Sequence, residues 1–549
     1  MSLGSPAAGQ PFDRYGRSAR AVRGMVSAAR PEAAQAGVAM LQAGGNAVDA
    51  AVACGFALGV VEPAASGIGG GGFMILRLAH LPEAVVVDFR ETAPAAARPD
   101  LYRHGADGKV LGLASSVGGL AAGVPGEVAG LLYALEHFGS GRLTRAQVMA
   151  PAIAWARAGY PVTRFLSELL HECAHLIRRS PPCAALYLRD GQPLPLGSAV
   201  RNPDLGAVLE RIAEQGADAF YRGGLARRIA EGVRADGGIL TAEDLAGYQV
   251  KVRRPVAGSY RGHTILSVPP ASSGGAHLVQ LLNILENFDL RASGWGSAGS
   301  LHLWAEALKL VFADRAAYMA DSDFVPVPLA GLCAKSYARD LAGRIHPERL
   351  MPPPGPGDPF PHESSSTTSY AVMDGAGGMV ACTKSLNDFF AGTMVPGLGF
   401  IMNAHMDDFV TLPGSVNSVQ PGKRPLSSMS PALVLDPHGR PLLTVGSPGA
   451  SRIFPTVAQV ISNVVDFAMP LQEAIDAPRL FQADRGGLDV EGRVALSAYQ
   501  GLAALGHAVL VHPDFDYFFG GVHAVLGDPE SGILTGGADP RRDGQAFGL

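Results

Sequence analysis

Residues 351–360 read MPPPGPGDPF. Proline has no backbone N–H and a fixed φ, so this stretch enters neither a helix interior nor the middle of a sheet. It sorts the periodic segments of the chain into two sets and places a boundary near 350–366.

Before the break, residues 31–60 predict two helices interrupted at Gly44-Gly45, with Pro31 in a first helical turn and Asn46 as an N-cap. The second is almost entirely small and apolar, which predicts burial on all sides. VEPAASGIGGGGFMILRL then predicts a glycine loop entering a strand, and AVVVDFR (84–90) a second strand. Residues 126–320 are mainly helical by apolar spacing, as in GEVAGLLYALEHFG and LHLWAEALKLVFADRAAYMA, with a strand pair expected in YQVKVRRPVAGSYRGHTILSVPP. After the break come short strands (SYAVMD, GMVACTKS, PALVLDPHGR, PLLTVGSPG), one helix (SRIFPTVAQVISNVVDF) and further strands near the C-terminus. The fold class expected is mixed helices and sheets.

Composition excludes several functions. Charged residues are 17% of the 549, hydrophobic ones 47%, and the net charge is −5, with no basic run of the kind a nucleic-acid surface needs. Five widely spaced cysteines without a CxxC pair argue against a disulfide framework or a cysteine zinc site. The N-terminus lacks the apolar core of a signal peptide, and no apolar run is long enough to span a bilayer, so a cytoplasmic protein without membrane or nucleic-acid partners is expected. Neither a cofactor nor a metal is called for.

Several short motifs have a bland reading beside a chemical one. GIGGGGFM (67–74) lacks the lysine of a phosphate loop and runs helix–loop–strand, the reverse of a dinucleotide fingerprint; close backbone packing is the better reading. Arg90, at a strand end in DFRETAP, is either paired with Asp88 or Glu91 or offers its guanidinium fork to a substrate carboxylate. Ser427 and Ser428 precede a strand and suit capping of a turn. In VGSPGASRIFP (445–455) a strand turns at Gly449-Ala450 into a helix, where backbone N–H groups can stabilise an oxyanion. HMDDFV (405–410) has too few clustered ligands for a metal; it is a solvated loop, or one of its carboxylates holds a substrate ammonium.

ESSSTTSYAVMD (363–374) reads as a polar linker entering a strand, or as a point where the chain is cut. An internal threonine hydroxyl has no base. Cut just before Thr367, the new α-amine, with a pKa of about 7.7–8.0, serves as base for its own hydroxyl.

Taken in order, GGNAVDAAVA (44–53), VVEPAASGIGGGGFM (60–74), DFRETAP (88–94), AAGVPGEVAG (121–130), TTSYAVMD (367–374), NAHMDDF (403–409), PGKRPLSSMSP (421–431), GSPGASR (446–452) and GGADPRRDG (536–544) resemble the γ-glutamyltransferases, or glutathione hydrolases, over nearly the whole chain. These are N-terminal-nucleophile hydrolases made as one precursor. The resemblance implies an α+β fold with four αββα layers and self-cleavage between Ser366 and Thr367. It gives a large subunit, 1–366, ending in a mobile proline-rich tail, and a small subunit, 367–549, interwoven as a heterodimer alone or in a higher oligomer. It implies Thr367 as the nucleophile that forms an acyl-enzyme with a γ-glutamyl amide, and water or an amine as acceptor. Arg90 would bind the substrate α-carboxylate with Ser427 and Ser428, Asp408 the α-ammonium, and Asn387 the same glutamyl end. The N–H groups of Gly449 and Ala450 would form the oxyanion hole.

The chain departs from the family pattern at several points. Ser385 stands where many members have a threonine supporting the nucleophile, Ser369 where histidine is frequent, and His405 where Gln or Glu recognises the amine. Ala450 replaces a glycine, which a negative φ would tolerate. The loop between Asp408 and Lys423 is short and lacks an aromatic-tipped lid, which implies a more open pocket. Two alternatives stand beside the γ-glutamyl reading: an amide acylase of the same fold, for glutaryl-, cephalosporin- or oxamate-type substrates, and an unprocessed protein without catalysis.

Overall fold

The computed structural model describes residues 16–354, 366–483 and 486–549. The expectation of a mobile tail concerns mainly 355–365, which lies outside the described residues, as does most of the N-terminal stretch read for an export signal.

The first helices start where their sequence asks. Pro31–Gln42 carries Pro31 in its first turn. Ala47–Val61 is capped by Asn46, whose side chain accepts from the N–H groups of Val48 and Asp49 while Asp49 accepts from the Asn46 N–H, closing a capping box. Every residue of this second helix is buried, as its composition predicts.

Two seven-stranded sheets form the centre of the molecule. One runs, edge to edge, Gln545–Gly548, Gly24–Ala28, Ser366–Asp374, Met379–Asn387, Gly71–Arg77, Val85–Phe89 and Lys251–Arg253. The other runs Ala19–Ala21, Leu534–Ala538, His523–Gly527, Pro441–Gly446, Ala432–Leu435, His263–Ser267 and Val256–Tyr260. All pairings within both are antiparallel.

Alternation along the strands creates the layers. Ala371, Met373, Met379 and Ala381 face the second sheet and pack with Phe73, Ile75, Leu433 and Val525. Tyr370, Val372, Val380 and Cys382 point the other way, against Phe56 and Leu58 of the capped helix. Beyond the second sheet, Ile265, Val434 and Val445 pack on Leu278, Leu308 and Phe454 of helices Gly274–Leu285, Ala298–Tyr318 and Ile453–Val465. The result is the α+β, four-layer αββα sandwich.

The proline-rich break is not a boundary between two separate bodies. Strand Ser366–Asp374 lies between Gly24–Ala28 and Met379–Asn387, so segments from both sides of the break alternate in one sheet. The strand pair expected around residues 248–270 is three strands, because Pro255 interrupts the run. Lys251–Arg253 joins one sheet, while Val256–Tyr260 and His263–Ser267 join the other. The five cysteines are free thiols, four buried and Cys333 half-buried.

GIGGGGFM packs as its bland reading requires. None of its glycines has a left-handed φ; the constraint is close approach. A Cβ on Gly70 would lie 2.1 Å from the Ser385 carbonyl oxygen, and one on Gly69 2.2 Å from that of Ile401. Gly70→Ala must therefore displace the strand carrying Ser385, and a loss of about 3 kcal/mol is expected in urea unfolding. Gly224, in a helix with open space around it, gives the control: Gly224→Ala is expected to gain about 0.5 kcal/mol.

Candidate active site

Thr367 stands at an irregularity in the sheet. Ser366 pairs with Asn387 and Thr368 with Lys384, so the register shifts across Thr367 and removes it from the regular ladder. A bulge of this kind re-aims a side chain. The Thr367 hydroxyl reaches the Ser385 Oγ at 3.4 Å, and Thr367 is 4% exposed. Its carbonyl accepts from Arg542 Nη1 at 2.7 Å. That guanidinium is buried, 3.3 Å from Glu62 and packed over the Phe165 ring. Burial pushes the Glu62 carboxyl up and the Arg542 guanidinium down, and each charge opposes the shift of the other.

A cavity opens in front of Thr367. Its wall includes Ser385, Asn387, His405, Asp408, Ser427, Ser428 and Ala450, with Leu426, Met429 and Ile453 as its apolar part. Of the residues singled out in the sequence, Gly449 and Arg90 do not line it. Gly449 precedes Ala450 in the turn. Arg90 lies behind the wall, fully buried, with its guanidinium against Asp408, against Glu91 at 3.4 Å and against the Pro425 carbonyl at 3.2 Å. The local-pairing reading of Arg90 holds for Glu91 but not for the side chain of Asp88, which is taken by Arg253 at 2.7 Å and Arg424 at 3.3 Å. Asp88 instead accepts the Arg90 backbone N–H.

The two serines are fixed by their turn. Ser427 Oγ accepts from the Met429 N–H, the capping role expected, and its carbonyl accepts from Ser273. Ser428 Oγ accepts from Arg315 Nη2 at 3.0 Å, while Arg315 Nε holds Ser273. Asn387 donates to the Ala404 carbonyl and has a φ of 79°. HMDDFV is not a solvated loop: it forms the short helix His405–Asp408, with His405 and Met406 buried. His405 Nδ1 lies 2.8 Å from Glu91 Oε1. Burial, helped by Arg90, holds the imidazole well below its ordinary pKa. Burial pushes Glu91 up to about 7, with Arg90 opposing.

Ala450 does not have the negative φ that would make its substitution for glycine harmless: φ is 51°, left-handed, and Gly449 before it has 128°. Among the described residues no acceptor meets the backbone N–H of either, beside a cavity that Ala450 lines. The short loop after Asp408 is closed by Lys423, whose ammonium donates to the carbonyls of Val416 and Ser418. Ser369, expected to stand in for histidine, has its hydroxyl 3.2 Å from His523 Nδ1.

Among the described residues, one cluster elsewhere has metal-ligand chemistry: His302, Glu306 and His507 lie close together between helix Ala298–Tyr318 and the C-terminal part. Its donors are already engaged. His302 and His507 bond each other at 2.8 Å, and Glu306 takes the Lys309 ammonium on one oxygen and the Met351 N–H on the other. It braces the chain at Met351, where the proline-rich stretch begins.

The γ-glutamyltranspeptidase family model matches residues 33–549. The chain belongs to the γ-glutamyltranspeptidase family. It is 40% identical over 537 residues to the glutathione hydrolase proenzyme of Escherichia coli K12, covering 95% of this chain and 91% of that protein. It is 42% identical over 528 residues to the acylase ACY 1 proenzyme of Pseudomonas sp. SE83, covering 95% and 93%. Among solved structures, cephalosporin acylase from Bacillus halodurans aligns with a TM-score of 0.88 and 29% identity over 100% of this chain and 99% of its own. γ-Glutamyltranspeptidase from Helicobacter pylori gives a TM-score of 0.56 and 42% identity over 59% and 92%.

Sequence reading named Glu91 only as a pairing partner of Arg90, and missed Arg315, Arg542 and Glu62. Glu62, Glu91 and Arg542 lie inside motifs quoted for the family, VVEPAASGIGGGGFM, DFRETAP and GGADPRRDG, so a signal was present. Arg315 sits in an ordinary-looking helix and gave none. At the Gly449-Ala450 turn, Ala450→Gly relieves a left-handed alanine, and a gain of about 1 kcal/mol in urea unfolding is expected.

Proposed function

We propose that this member of the family is a self-processing γ-glutamyl hydrolase/transferase with Thr367 as nucleophile. The observation that carries the reading is the position of Thr367: on a bulge, beside the Ser385 hydroxyl, facing a cavity that Ala450 lines at a turn where, among the described residues, no acceptor meets the N–H of Gly449 or Ala450. In the precursor, the Thr367 hydroxyl attacks the Ser366 carbonyl carbon and the acyl group passes from nitrogen to oxygen. Water then cleaves the ester, leaving a Ser366 carboxylate and a free Thr367 amine.

In the mature form that amine takes the Thr367 hydroxyl proton as Oγ attacks the amide carbon of the substrate. The C–N bond breaks, the proton goes to the leaving amine, and the acyl group rests on Thr367 as an ester. Water or an amine repeats the attack and releases it. The Gly449 and Ala450 N–H groups stabilise the oxyanion of each addition in this reading. Asp408 supplies the anionic part of the wall for an α-ammonium, with Ser427 and Ser428 for the α-carboxylate on the same carbon and Asn387 at the same glutamyl end. Arg90 acts on the substrate carboxylate only in a rearranged pair with Asp408; as it stands it fixes and charges that wall.

The relatives also favour a second reading, an amide acylase, because an acylase proenzyme and a cephalosporin acylase match over nearly the whole length. Asp408 separates the two, since its charge serves a substrate that bears an amine. A denaturing gel is expected to give two fragments of about two-thirds and one-third of the chain, and a single band for Thr367→Ala. An intact wild-type band removes the proposal. With processed enzyme, γ-glutamyl p-nitroanilide is expected to be cleaved in preference to the glutaryl compound; the opposite preference selects the acylase.

A further inference from the structure

Glu91 and His405 meet just behind the cavity wall, where neither has access to bulk water. Glu91 follows strand Val85–Phe89, and His405 opens the short helix His405–Asp408. The carboxylate oxygen Oε1 is 2.8 Å from His405 Nδ1, with side-chain exposures of 0% and 1%, and Oε2 is 3.4 Å from Arg90 Nη1. The ring lines the cavity together with Asp408, and with Nδ1 turned to Glu91 Nε2 is the ring nitrogen left to meet a bound group.

A neutral imidazole has one N–H and one lone pair, and the bond made by one nitrogen decides which the other presents. If Glu91 is a carboxylate, it accepts from Nδ1–H, and Nε2 faces the cavity with a lone pair. If Glu91 is a carboxylic acid, its O–H donates to Nδ1, and Nε2 faces the cavity with a proton. The change takes up one proton: it arrives at Nε2 from the cavity side while the Nδ1 proton passes to Glu91.

We propose that Glu91 is a specificity-determining positioning residue. As a carboxylate it sets His405 Nε2 as an acceptor for a substrate ammonium beside Asp408; once protonated it converts Nε2 into a donor that disfavours that ammonium. The inference rests on the reading above, that the cavity takes γ-glutamyl groups, and it concerns how this chain replaces the Gln or Glu expected at position 405.

The surroundings favour a proton on the carboxyl and not on the ring. Around Glu91 stand Arg90 and Arg424, which oppose protonation, and Asp88, which assists it. Glu127, Tyr221 and Tyr248, the last donating to the Arg90 carbonyl, complete the titratable groups facing it. Around His405 stand Arg90 and Asp408, of opposite effect. Burial dominates for both groups: it raises Glu91 to about 7 and keeps His405 neutral. Acceptor character therefore belongs to pH above about 7 and donor character to pH below it.

The test is the ratio of kcat/KM for γ-glutamyl p-nitroanilide over glutaryl p-nitroanilide, measured on processed enzyme from about pH 5.5 to about pH 8. If the glutaryl compound is not turned over, the competitive inhibition constants of glutamate and glutarate, neither of which is cleaved, are compared over the same pH range instead. Both substrates use the same nucleophile and base, so the titration of the Thr367 amine cancels in the ratio. Loss of the substrate's own ammonium at high pH lowers the ratio and cannot mimic the effect. The ratio is expected to rise about tenfold with a midpoint near pH 7, the scale of one charge-assisted hydrogen bond. In His405→Gln, whose amide does not titrate, and in Glu91→Gln, the ratio is expected to stay within about twofold over this range, while the common pH profile of the γ-glutamyl reaction persists. A wild-type ratio independent of pH, or a rise that survives in both variants, overturns the inference and leaves γ-glutamyl cleavage standing. Processed enzyme that leaves the γ-glutamyl compound uncut at every pH overturns the earlier reading instead.

Discussion

The architecture depends on one strand being held from both sides. Ser366–Asp374 bonds Met379–Asn387 along one edge and Gly24–Ala28 along the other, while its side chains enter two different cores. Its place in the sheet therefore does not depend on the chain that leads into it. A cut before Thr367 would leave the ladder from Tyr370 to Asp374 intact, and would free an end at the bulge, the one point where the strand is already out of register. The Arg542 bond to the Thr367 carbonyl secures that end to the C-terminal segment. The fold can thus tolerate the loss of a covalent bond at a place where the new α-amine stays fixed beside its own hydroxyl.

The same burial that fixes the strand makes charge expensive around it. A buried ion without a partner costs several kcal/mol, and the charged groups here come in sets. Lys384, one residue before Ser385, meets Glu127 at 2.6 Å with both side chains fully buried. Arg479 and Arg541 share Asp539, and Arg541 also meets Glu491. Arg90 stands among Glu91 and Asp408, and Asp88 among Arg253 and Arg424. The cavity wall is the visible edge of this network. Asp408, with 14% of its side chain exposed, is where the network reaches the cavity.

Much of this was legible in the sequence where local chemistry dictates local structure. The Asn46 cap, the uniformly buried helix after it and the close-packed glycine loop follow from residue size, capping oxygens and the absence of a Cβ. The strand-to-helix turn at Gly449-Ala450 was legible as well, but not the backbone angle of Ala450, because tertiary packing can impose a left-handed φ that propensity disfavours. The alternation of early and late strands in one sheet was hidden, since pairing between Gly24–Ala28 and Ser366–Asp374 leaves no mark at short range. The partners of Arg90 were half hidden for the same reason: Glu91 is its neighbour in sequence, whereas Asp408 is brought to it only by folding.

The position that most distinguishes this wall from the family pattern is His405. A Gln at that site presents a carbonyl oxygen or an amide N–H by rotation, and a Glu presents oxygens alone while it is ionised. A histidine presents one or the other according to its far nitrogen, so recognition at the wall is delegated to whatever lies behind it. Here that is a carboxyl group held between a guanidinium and the ring itself. The substitution is therefore not a simple loss of an acceptor. It moves control of amine recognition from the residue that touches the cavity to Glu91, which does not. Since this chain resembles both glutathione hydrolase and acylase proenzymes, the proposed device is a small change with the right leverage: without altering Thr367 or the Gly449-Ala450 turn, it would shift preference between acyl groups with and without an ammonium.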